Sequence, residues 1–140
     1  MKTKILLVDD EAYMHKLLQH HLERAGFEMV SARTGVEALE IAAREVPQLI
    51  IMDIMLPQMD GLTAIKRLKA SDTTKSVPII VITANTHVAS KQEAESSGAT
   101  LFLTKPFSPA QLLGEIQRLV ARALKDLRED CEAFGIPGGK

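Results

Sequence analysis

The sequence predicts an α/β protein with one doubly wound sheet of five parallel strands and helices on both faces. Short apolar runs alternate with segments of helical periodicity along the 140 residues, and most runs end in polar or small residues. Such runs are typical of strands buried on both sheet faces, and parallel strands are joined by right-handed helical crossovers. The carboxyl ends of the strands therefore share one edge, where open α/β sheets bind their ligands.

The strands are predicted from five apolar runs. The central run covers residues 49–52 and stops at Asp53. Pro57 then ends the reach of this strand, and Asp60-Gly61 indicates a turn into the next helix. Residues 27–32 have mixed polarity, as expected of an edge strand. The remaining runs cover residues 4–8, 77–82 and 100–104.

Three helices are predicted between the first four strands. Residues 13–25 and 62–69 carry apolar side chains at helical spacing, and Gly26 ends the first of these helices. Another helix lies between Gly35 and Pro47. We expect it to bury its apolar side, which consists of Val36, Leu39, Ile41, Ala42 and Val46.

Two more helices follow the fourth and fifth strands. Residues 87–97 are short of large apolar side chains, so we expect a thinly packed helix that shifts easily. A long helix starts at Ser108, and its apolar stripe continues beyond Val120. We therefore predict one domain over residues 1–121, followed over 122–140 by an extension of the last helix and a flexible tail containing Gly and Pro. A helical linker toward another domain is the alternative for this extension.

The composition is typical of a soluble globular protein, with 46% apolar and 25% charged residues. The formal charge of −1 gives no general attraction to nucleic acid or anionic lipid. No apolar run approaches the roughly 20 residues of a membrane span, and the first residues lack the pattern of a signal peptide. Cys131 is the only cysteine, which fits a reducing compartment. We expect a cytoplasmic protein.

Three histidines lie on the first predicted helix. His20 and His21 are adjacent, so their side chains point about 100° apart and are poorly placed to share a metal ion. We expect these two residues and His15 to lie at the surface or at its edge.

Chemically distinct side chains stand at the predicted strand ends. Three acids at residues 9–11 follow the first strand, and they suit either the positive end of a helix dipole or a Mg²⁺ ion, which prefers carboxylate oxygens. Asp53 is either a nucleophile or metal ligand, or an ordinary loop cap. Thr83 and Lys105, taken alone, also fit a strand residue and a surface lysine.

Four motifs occur in order at these strand ends. They are Val8-Asp9-Asp10, residues 52–57 with Asp60-Gly61, Ile82-Thr83-Ala84, and Lys105-Pro106. Together they resemble the receiver domain of two-component response regulators, of the CheY-like type, from about residue 4 to residue 120. This resemblance implies the flavodoxin-like strand order 2-1-3-4-5.

The resemblance also implies a metal site and a phosphoacceptor. Asp53 would accept the phosphoryl group. Asp9, Asp10 and Asp53 would hold Mg²⁺ as the cofactor, Asp9 either directly or through water. The backbone carbonyl of Met55 would supply another oxygen ligand.

Phosphoryl transfer requires the charge on the equatorial oxygens to be neutralised. In the family pattern, Mg²⁺ takes one oxygen and the Lys105 ammonium takes another. The Thr83 hydroxyl and the Ala84 amide take the third. Thr83 and Lys105 would therefore act with Asp53 in catalysis.

The resemblance implies a switch as well. Phosphate would draw Thr83 toward it, and Phe102 would then turn into the vacated volume. The alternative is that Phe102 is a fixed core residue. The output surface would consist of the helix over residues 87–97, the last strand and the final helix.

The implied function is a phosphorylation-controlled signalling switch that catalyses its own dephosphorylation. A sensor histidine kinase or a phosphotransfer protein would donate the phosphoryl group from a phosphohistidine, and an unknown protein would be the downstream target. We expect neither a conventional multi-turnover enzyme nor direct binding of nucleic acid or membrane.

Two other classes of protein fit these residues less well. A phosphatase of the haloacid-dehalogenase type places its nucleophile on the first strand within Asp-x-Asp, which the acids at 9–11 do not match. A flavin-binding module would need a phosphate-cradling loop rich in Ser, Thr and Gly after the first strand. The acids there would repel phosphate unless a cation intervened.

Overall fold

The chain forms one parallel sheet, and the computed structural model describes residues 3–56, 59–84 and 88–133, with side chains left undescribed at 88–90 and 123–133. Its strands are β1 (Lys4–Val8), β2 (Glu28–Ala32), β3 (Leu49–Met52), β4 (Ile79–Thr83) and β5 (Leu101–Thr104). Their order is β2-β1-β3-β4-β5, and every pairing is parallel. The predicted fold class and strand order are therefore confirmed. β4 starts later than predicted because Pro78 has no amide hydrogen for the ladder.

Helices alternate with these strands, as the periodicity predicts. Within the described ranges they are α1 (Ala12–Arg24), α2 (Gly35–Glu45), α3 (Gly61–Ala70), α4 (Val88–Ser97) and α5 (Pro109–Ala133). None of them is long and apolar enough to cross a lipid bilayer.

Two separate apolar clusters hold the helices to the sheet. On one face, which we call the α3 face, α2, α3 and α4 cover side chains such as Met52 and Val81. On the other, which we call the α1 face, α1 and α5 cover side chains such as Ile51 and Ile82. Successive strand residues point to opposite faces, so continuous apolar runs fill both clusters.

The buried side of α2 differs from the prediction. The small residues Gly35, Ala38 and Ala42 are buried, whereas Val36 and Val46 are 44% and 46% exposed. Small side chains let a helix approach the sheet closely, and Val46 leaves the helical periodicity because it is the C-cap, with a left-handed φ of 44°. The other two predicted side chains pack partly against the α3 face: Leu39 and Ile41.

α4 packs thinly, as predicted. Among its described side chains, Ala94 and Ser97 are buried and the others are exposed. The predicted helix start at His87 and the turn at Pro57 lie outside the described residues, as do the end of the apolar stripe and the tail, residues 134–140. The side chain of Cys131 lies outside them too. The division of the chain at residue 121 stays a prediction.

The surface prediction for His15 is wrong. His20 is exposed and His21 is half-buried, but the side chain of His15 is only 7% exposed. Its spacing from the buried Leu18 and Leu22 is i+3 and i+7, which places all three on one helix face. This spacing was visible in the sequence and predicts a buried histidine.

Candidate functional site

The site lies at the carboxyl edge of the sheet, where backbone hydrogen bonds hold three of the predicted residues in place. The Asp9 amide donates to the Ala32 carbonyl at 3.1 Å, and the Asp53 amide donates to the Val8 carbonyl at 3.0 Å. The Lys105 amide donates to the Thr83 carbonyl at 2.8 Å. Strand pairing therefore brings these side chains to one edge from distant parts of the chain.

Lys105 stands at the centre of the carboxylates. Its Nζ lies 2.9 Å from Asp53 Oδ2, 3.0 Å from Asp9 Oδ2 and 3.1 Å from Glu11 Oε1. The side chains of Asp9 and Asp53 are 1% and 6% exposed, and that of Lys105 is 15% exposed. The lysine is thus the counter-ion of two buried acids and one exposed acid.

The second oxygen of each buried acid accepts a backbone amide. Asp9 Oδ1 accepts from the Glu11 amide at 2.9 Å, and Asp53 Oδ1 accepts from the Met55 amide at 2.8 Å. Both are turns in which an aspartate bonds the amide two residues later, and they fix the direction of each carboxylate. Asp9 and Asp53 are therefore pre-oriented with one oxygen toward Lys105.

Four acids at this edge can converge on one cation. Asp9, Asp10, Glu11 and Asp53 each offer an oxygen, and these atoms all lie within 4.8 Å of one another. Carboxylate oxygens at such spacing suit a hard divalent cation such as Mg²⁺. Glu11 was not among the expected ligands, although its place in the run of three acids was a signal for it.

Burial and charge act in opposite directions on the ionisable groups. Burial raises the pKa of Asp9, the Glu11 amide and Lys105 oppose that rise, and the charge of Asp53 adds to it. Burial lowers the pKa of Lys105, but its hydrogen bonds to Asp53, Asp9 and Glu11 outweigh burial, so the pKa ends above its usual value. Lys105 is therefore held in its protonated form, whereas burial destabilises the ionised form of Asp9.

The chain beyond Asp53 packs closely against the strand end. A Cβ atom on Gly61 would lie 2.5 Å from the Ile54 Cα and 2.7 Å from the Asp53 carbonyl oxygen. The Gly61 amide donates to the Ile54 carbonyl at 3.1 Å, and Asp60 Oδ1 caps α3 by accepting from the Thr63 amide at 2.8 Å. Glycine is required here because the start of α3 rests on the backbone that carries Asp53.

The two predicted switch residues lie on the same side of the sheet. Thr83 is fully buried at the end of β4, and Phe102 is half-buried against the apolar cluster of the α3 face. Phe102 pairs with Val81 and Thr104 pairs with Thr83, so alternation places Thr83 and Phe102 on the α3 face. The structure thus brings both residues close to α4, the thinly packed helix.

The fold and the acid-lysine edge together match the receiver domain of two-component response regulators. The sequence profile of the family described as the response regulator receiver domain matches residues 5–117, and the chain belongs to this family. Proteins of this family are phosphorylation-controlled signalling domains. This membership decides against the haloacid-dehalogenase and flavin-binding alternatives.

Two curated relatives are transcriptional regulators. The chain is 38% identical over 123 residues to the alkaline phosphatase synthesis transcriptional regulatory protein PhoP of Bacillus subtilis, which covers 88% of the chain and 50% of that protein. It is 34% identical over 119 residues to the DNA-binding dual master transcriptional regulator RpaA of Synechocystis, covering 85% and 49%. The chain spans about half the length of the curated relatives it matches.

Solved structures give the same result. The chemotaxis response regulator CheY4 of Vibrio cholerae superposes with a TM-score of 0.80 at 36% identity, covering 85% of this chain and 99% of that one. The receiver domain of sensor histidine kinase PA1611 from Pseudomonas aeruginosa gives 0.80 at 30% identity, covering 86% and 99%. That structure is described with a magnesium ion coordinated in its active site cleft.

Proposed function

We propose that Asp53 accepts a phosphoryl group from the phosphohistidine of a partner protein, in a Mg²⁺-dependent reaction, and that the domain later removes this group itself. The observation that supports the proposal most directly is the shared contact of Lys105 with Asp53 and Asp9 beside two further acids. An ordinary loop cap at Asp53 needs neither the lysine nor the other carboxylates.

The residues of the chain divide the transfer step between them. The Met55 amide fixes one oxygen of Asp53, and the other oxygen attacks the phosphorus atom as the bond from phosphorus to the histidine nitrogen breaks. The imidazole leaves with the electron pair of that bond. Lys105 then moves its hydrogen bonds from Asp53 to a phosphoryl oxygen, where a charge-assisted bond is strong. The Thr83 hydroxyl, with the Ala84 amide, binds another oxygen.

Asp9, Asp10 and Asp53 would hold the cation, with the Met55 carbonyl as a further ligand. When bound, Mg²⁺ would supply positive charge that neutralises the incoming phosphoryl group. Carboxylate oxygens within 4.8 Å of one another support this assignment. The magnesium ion described for the homologous PA1611 receiver domain supports it too.

Removal of the phosphoryl group reverses the state of Asp53. A water molecule attacks the phosphorus atom, the bond to the Asp53 oxygen breaks, and inorganic phosphate leaves with the proton of the water passing to solvent. Each phosphorylation therefore ends in hydrolysis at the same residue. The domain is in this sense a self-resetting switch and not a conventional enzyme.

The partners follow from this chemistry and from the relatives. The protein would be cytoplasmic, and a sensor histidine kinase or phosphotransfer protein would supply the phosphohistidine. We assign the downstream contact to the surface formed by α4, β5 and α5, because Thr83 and Phe102 both lie on the face that α4 covers. The target is a protein, and we propose that residues 1–121, the receiver domain, bind neither DNA nor membrane themselves.

Labelling with a small phosphodonor tests the proposal. Acetyl phosphate and Mg²⁺ should add one hydroxylamine-sensitive phosphoryl group to the unmutated protein, and Asp53→Asn should remove all labelling because an amide is not a nucleophile. Intact-mass spectrometry measures the product. The matched control is Asp72→Asn, an exposed acid of the α3–β4 loop whose side chain forms an ion pair with Lys75.

The outcomes separate two failures. If Asp53→Asn takes up as much phosphate as the Asp72→Asn control, Asp53 is not the acceptor. If neither variant nor the unmutated protein is labelled under any Mg²⁺ concentration, the transfer reaction itself is wrong for this chain.

A further inference from the structure

His15 connects α1 to the strand end that carries the first acid. Its side chain is 7% exposed, and its Nε2 lies 2.6 Å from the backbone carbonyl oxygen of Asp9. The last backbone bond between β1 and β2 runs from the Asp9 amide to the Ala32 carbonyl. The Asp9 carbonyl lies beyond that bond, and it accepts its hydrogen bond from the His15 imidazole and not from a neighbouring strand.

The geometry fixes the tautomer of the ring. A carbonyl oxygen only accepts, so Nε2 carries the hydrogen and donates it to Asp9. Nδ1 is the one buried side-chain nitrogen or oxygen that has no hydrogen-bond partner within the described residues. Within the described residues, the ring therefore makes a single hydrogen bond, the one from Nε2 to the Asp9 carbonyl.

The hydrogen bond from His15 to the Asp9 carbonyl restrains residues 9–11, the segment that carries three of the acids. Asp9 Oδ1 accepts the Glu11 amide, and the Glu11 carbonyl accepts the Met14 amide in the first turn of α1. The imidazole of the next residue, His15, closes this loop by its hydrogen bond to the Asp9 carbonyl. The backbone from residue 9 to residue 11 is therefore held at both ends, and three of the four clustered acids project from it.

We propose that His15 is a positioning residue for the cation site, acting through the Asp9 backbone; this inference rests on the proposed function. Without the imidazole N–H, the buried Asp9 carbonyl is left without a hydrogen-bond donor, which is unfavourable. The peptide then rotates until the carbonyl reaches another donor. Rotation of that peptide displaces the Asp9 and Asp10 carboxylates, so that their oxygens no longer converge on one cation. The cation then binds more weakly while the sheet stays intact.

Two variants isolate the hydrogen bond from the volume of the ring. His15→Leu removes the donor, and His15→Gln keeps an amide donor at about the position of Nε2. Mutation of a residue that hydrogen-bonds a metal ligand typically lowers the metal affinity by about 10- to 100-fold. We expect about tenfold weaker Mg²⁺ binding for His15→Leu, equal to about 1.4 kcal/mol, and near-normal binding for His15→Gln.

The measurement is a calorimetric titration of each metal-free protein with MgCl₂, with a thermal melt of the same samples. Leu18→Met is the control, because Leu18 is buried on the same helix but packs on the α1 face away from the acids. We expect it to lower the melting temperature without changing the Mg²⁺ affinity. Equal Mg²⁺ affinity of His15→Leu and the unmutated protein would overturn the inference.

A spectroscopic readout needs no folded variant. In the metal-free, unmutated protein, a long-range ¹H–¹⁵N spectrum of the imidazole rings should show His15 as the Nε2–H tautomer. An Nδ1–H tautomer would contradict the proposed contact. Absence of Mg²⁺ binding by the unmutated protein would overturn the proposed function instead, whatever the tautomer of His15.

Discussion

Lys105 Nζ lies 2.9 Å from Asp53 Oδ2, although the two residues stand 52 positions apart in the chain. The same nitrogen contacts Asp9, so one cation serves two buried carboxylates in the resting site. In the proposed function this ammonium leaves Asp53 for the phosphoryl group. The lysine thus links the end of β5 to the chemical state of the acid that follows β3.

The coupling role of Lys105 can be tested by truncation. We expect Lys105→Ala to fold and to take up beryllofluoride at Asp53, but to leave the amide signals of Ala84 and Phe102 unshifted. A charge-assisted hydrogen bond of roughly 1.5–3 kcal/mol is lost, which is enough to decide a two-state switch. Amide NMR spectra with and without beryllofluoride measure the effect.

Lys66→Ala, an exposed lysine of α3, is the control for the loss of a positive charge. If the shifts at Ala84 and Phe102 are as large in Lys105→Ala as in this control, Lys105 does not couple the phosphoryl group to β5.

Asp10 should contribute to cation binding and not to the stability of the metal-free fold. It is exposed, and it crowds its charge against the neighbouring acids. We expect Asp10→Asn to weaken Mg²⁺ binding by about tenfold, which corresponds to about 1.4 kcal/mol, and to leave the metal-free protein equally or more stable. Calorimetric titration and urea unfolding check the two halves of this prediction.

Glu40→Gln, at an exposed position of α2, controls for the change in net charge. A clear loss of metal-free stability in Asp10→Asn, absent from that control, would count against a shared cation site.

Asp9 should make the metal-free protein less stable as the pH rises. Its folded pKa lies above the ordinary value of 3.8 because of burial, so the folded state binds the proton more tightly than the unfolded state. This contribution is complete below pH 3.8 and is lost as the pH rises through the folded pKa. As the pH rises from 3.8 through the folded pKa, the free energy of unfolding of the unmutated protein should therefore fall relative to that of Asp9→Asn.

Urea unfolding in the presence of a chelator, from about pH 3.5 to pH 7, gives the difference between the two proteins. A difference that stays constant, or that grows in favour of the unmutated protein as the pH rises, would show that Asp9 is not strained by burial.

Gly61 offers a steric test of the Asp53 turn. A Cβ atom there would come within 2.5 Å of the Ile54 Cα, so Gly61→Ala must displace the backbone that carries Asp53. We expect a loss of about 1–3 kcal/mol in the free energy of unfolding, together with slower labelling of Asp53 by acetyl phosphate. Chemical unfolding and mass spectrometry measure both quantities.

Gly114→Ala is the matched control, because nothing lies within 4 Å of a Cβ atom at that position in α5. An alanine inside a helix should stabilise it by up to about 1 kcal/mol. If the two variants behave alike, the close approach of Gly61 to Ile54 is not real.

Much of this arrangement could be predicted because strand ends and strand order determine it. Continuous apolar runs predicted β1, β3 and β4, and their polar ends predicted the edge at which Asp9 and Asp53 meet. The strand ends also predicted that Lys105 lies at this edge. Its contacts with Asp9 and Glu11 were not predicted, because spacing along one chain does not fix contacts between distant residues.

Other features depend on local packing that composition does not reveal. Val36 and Val46 are apolar yet exposed, because α2 approaches the sheet through smaller side chains. His15 is polar yet buried, because its helical spacing places it in one stripe with Leu18 and Leu22. Glu11 belongs to the run of acids that suits Mg²⁺, but the ligand set implied by the resemblance includes only the first two of them.

The thin attachment of α4 has a consequence for how such a domain can acquire new partners. Of its described side chains, only Ala94 and Ser97 are buried, so most outward-facing positions contribute little to the stability of the fold. Substitutions at surface positions usually change stability by less than about 0.5 kcal/mol. The outer side of α4 can therefore diverge rapidly during evolution while the acid edge and the sheet stay unchanged, and one phosphorylation chemistry can serve many different outputs.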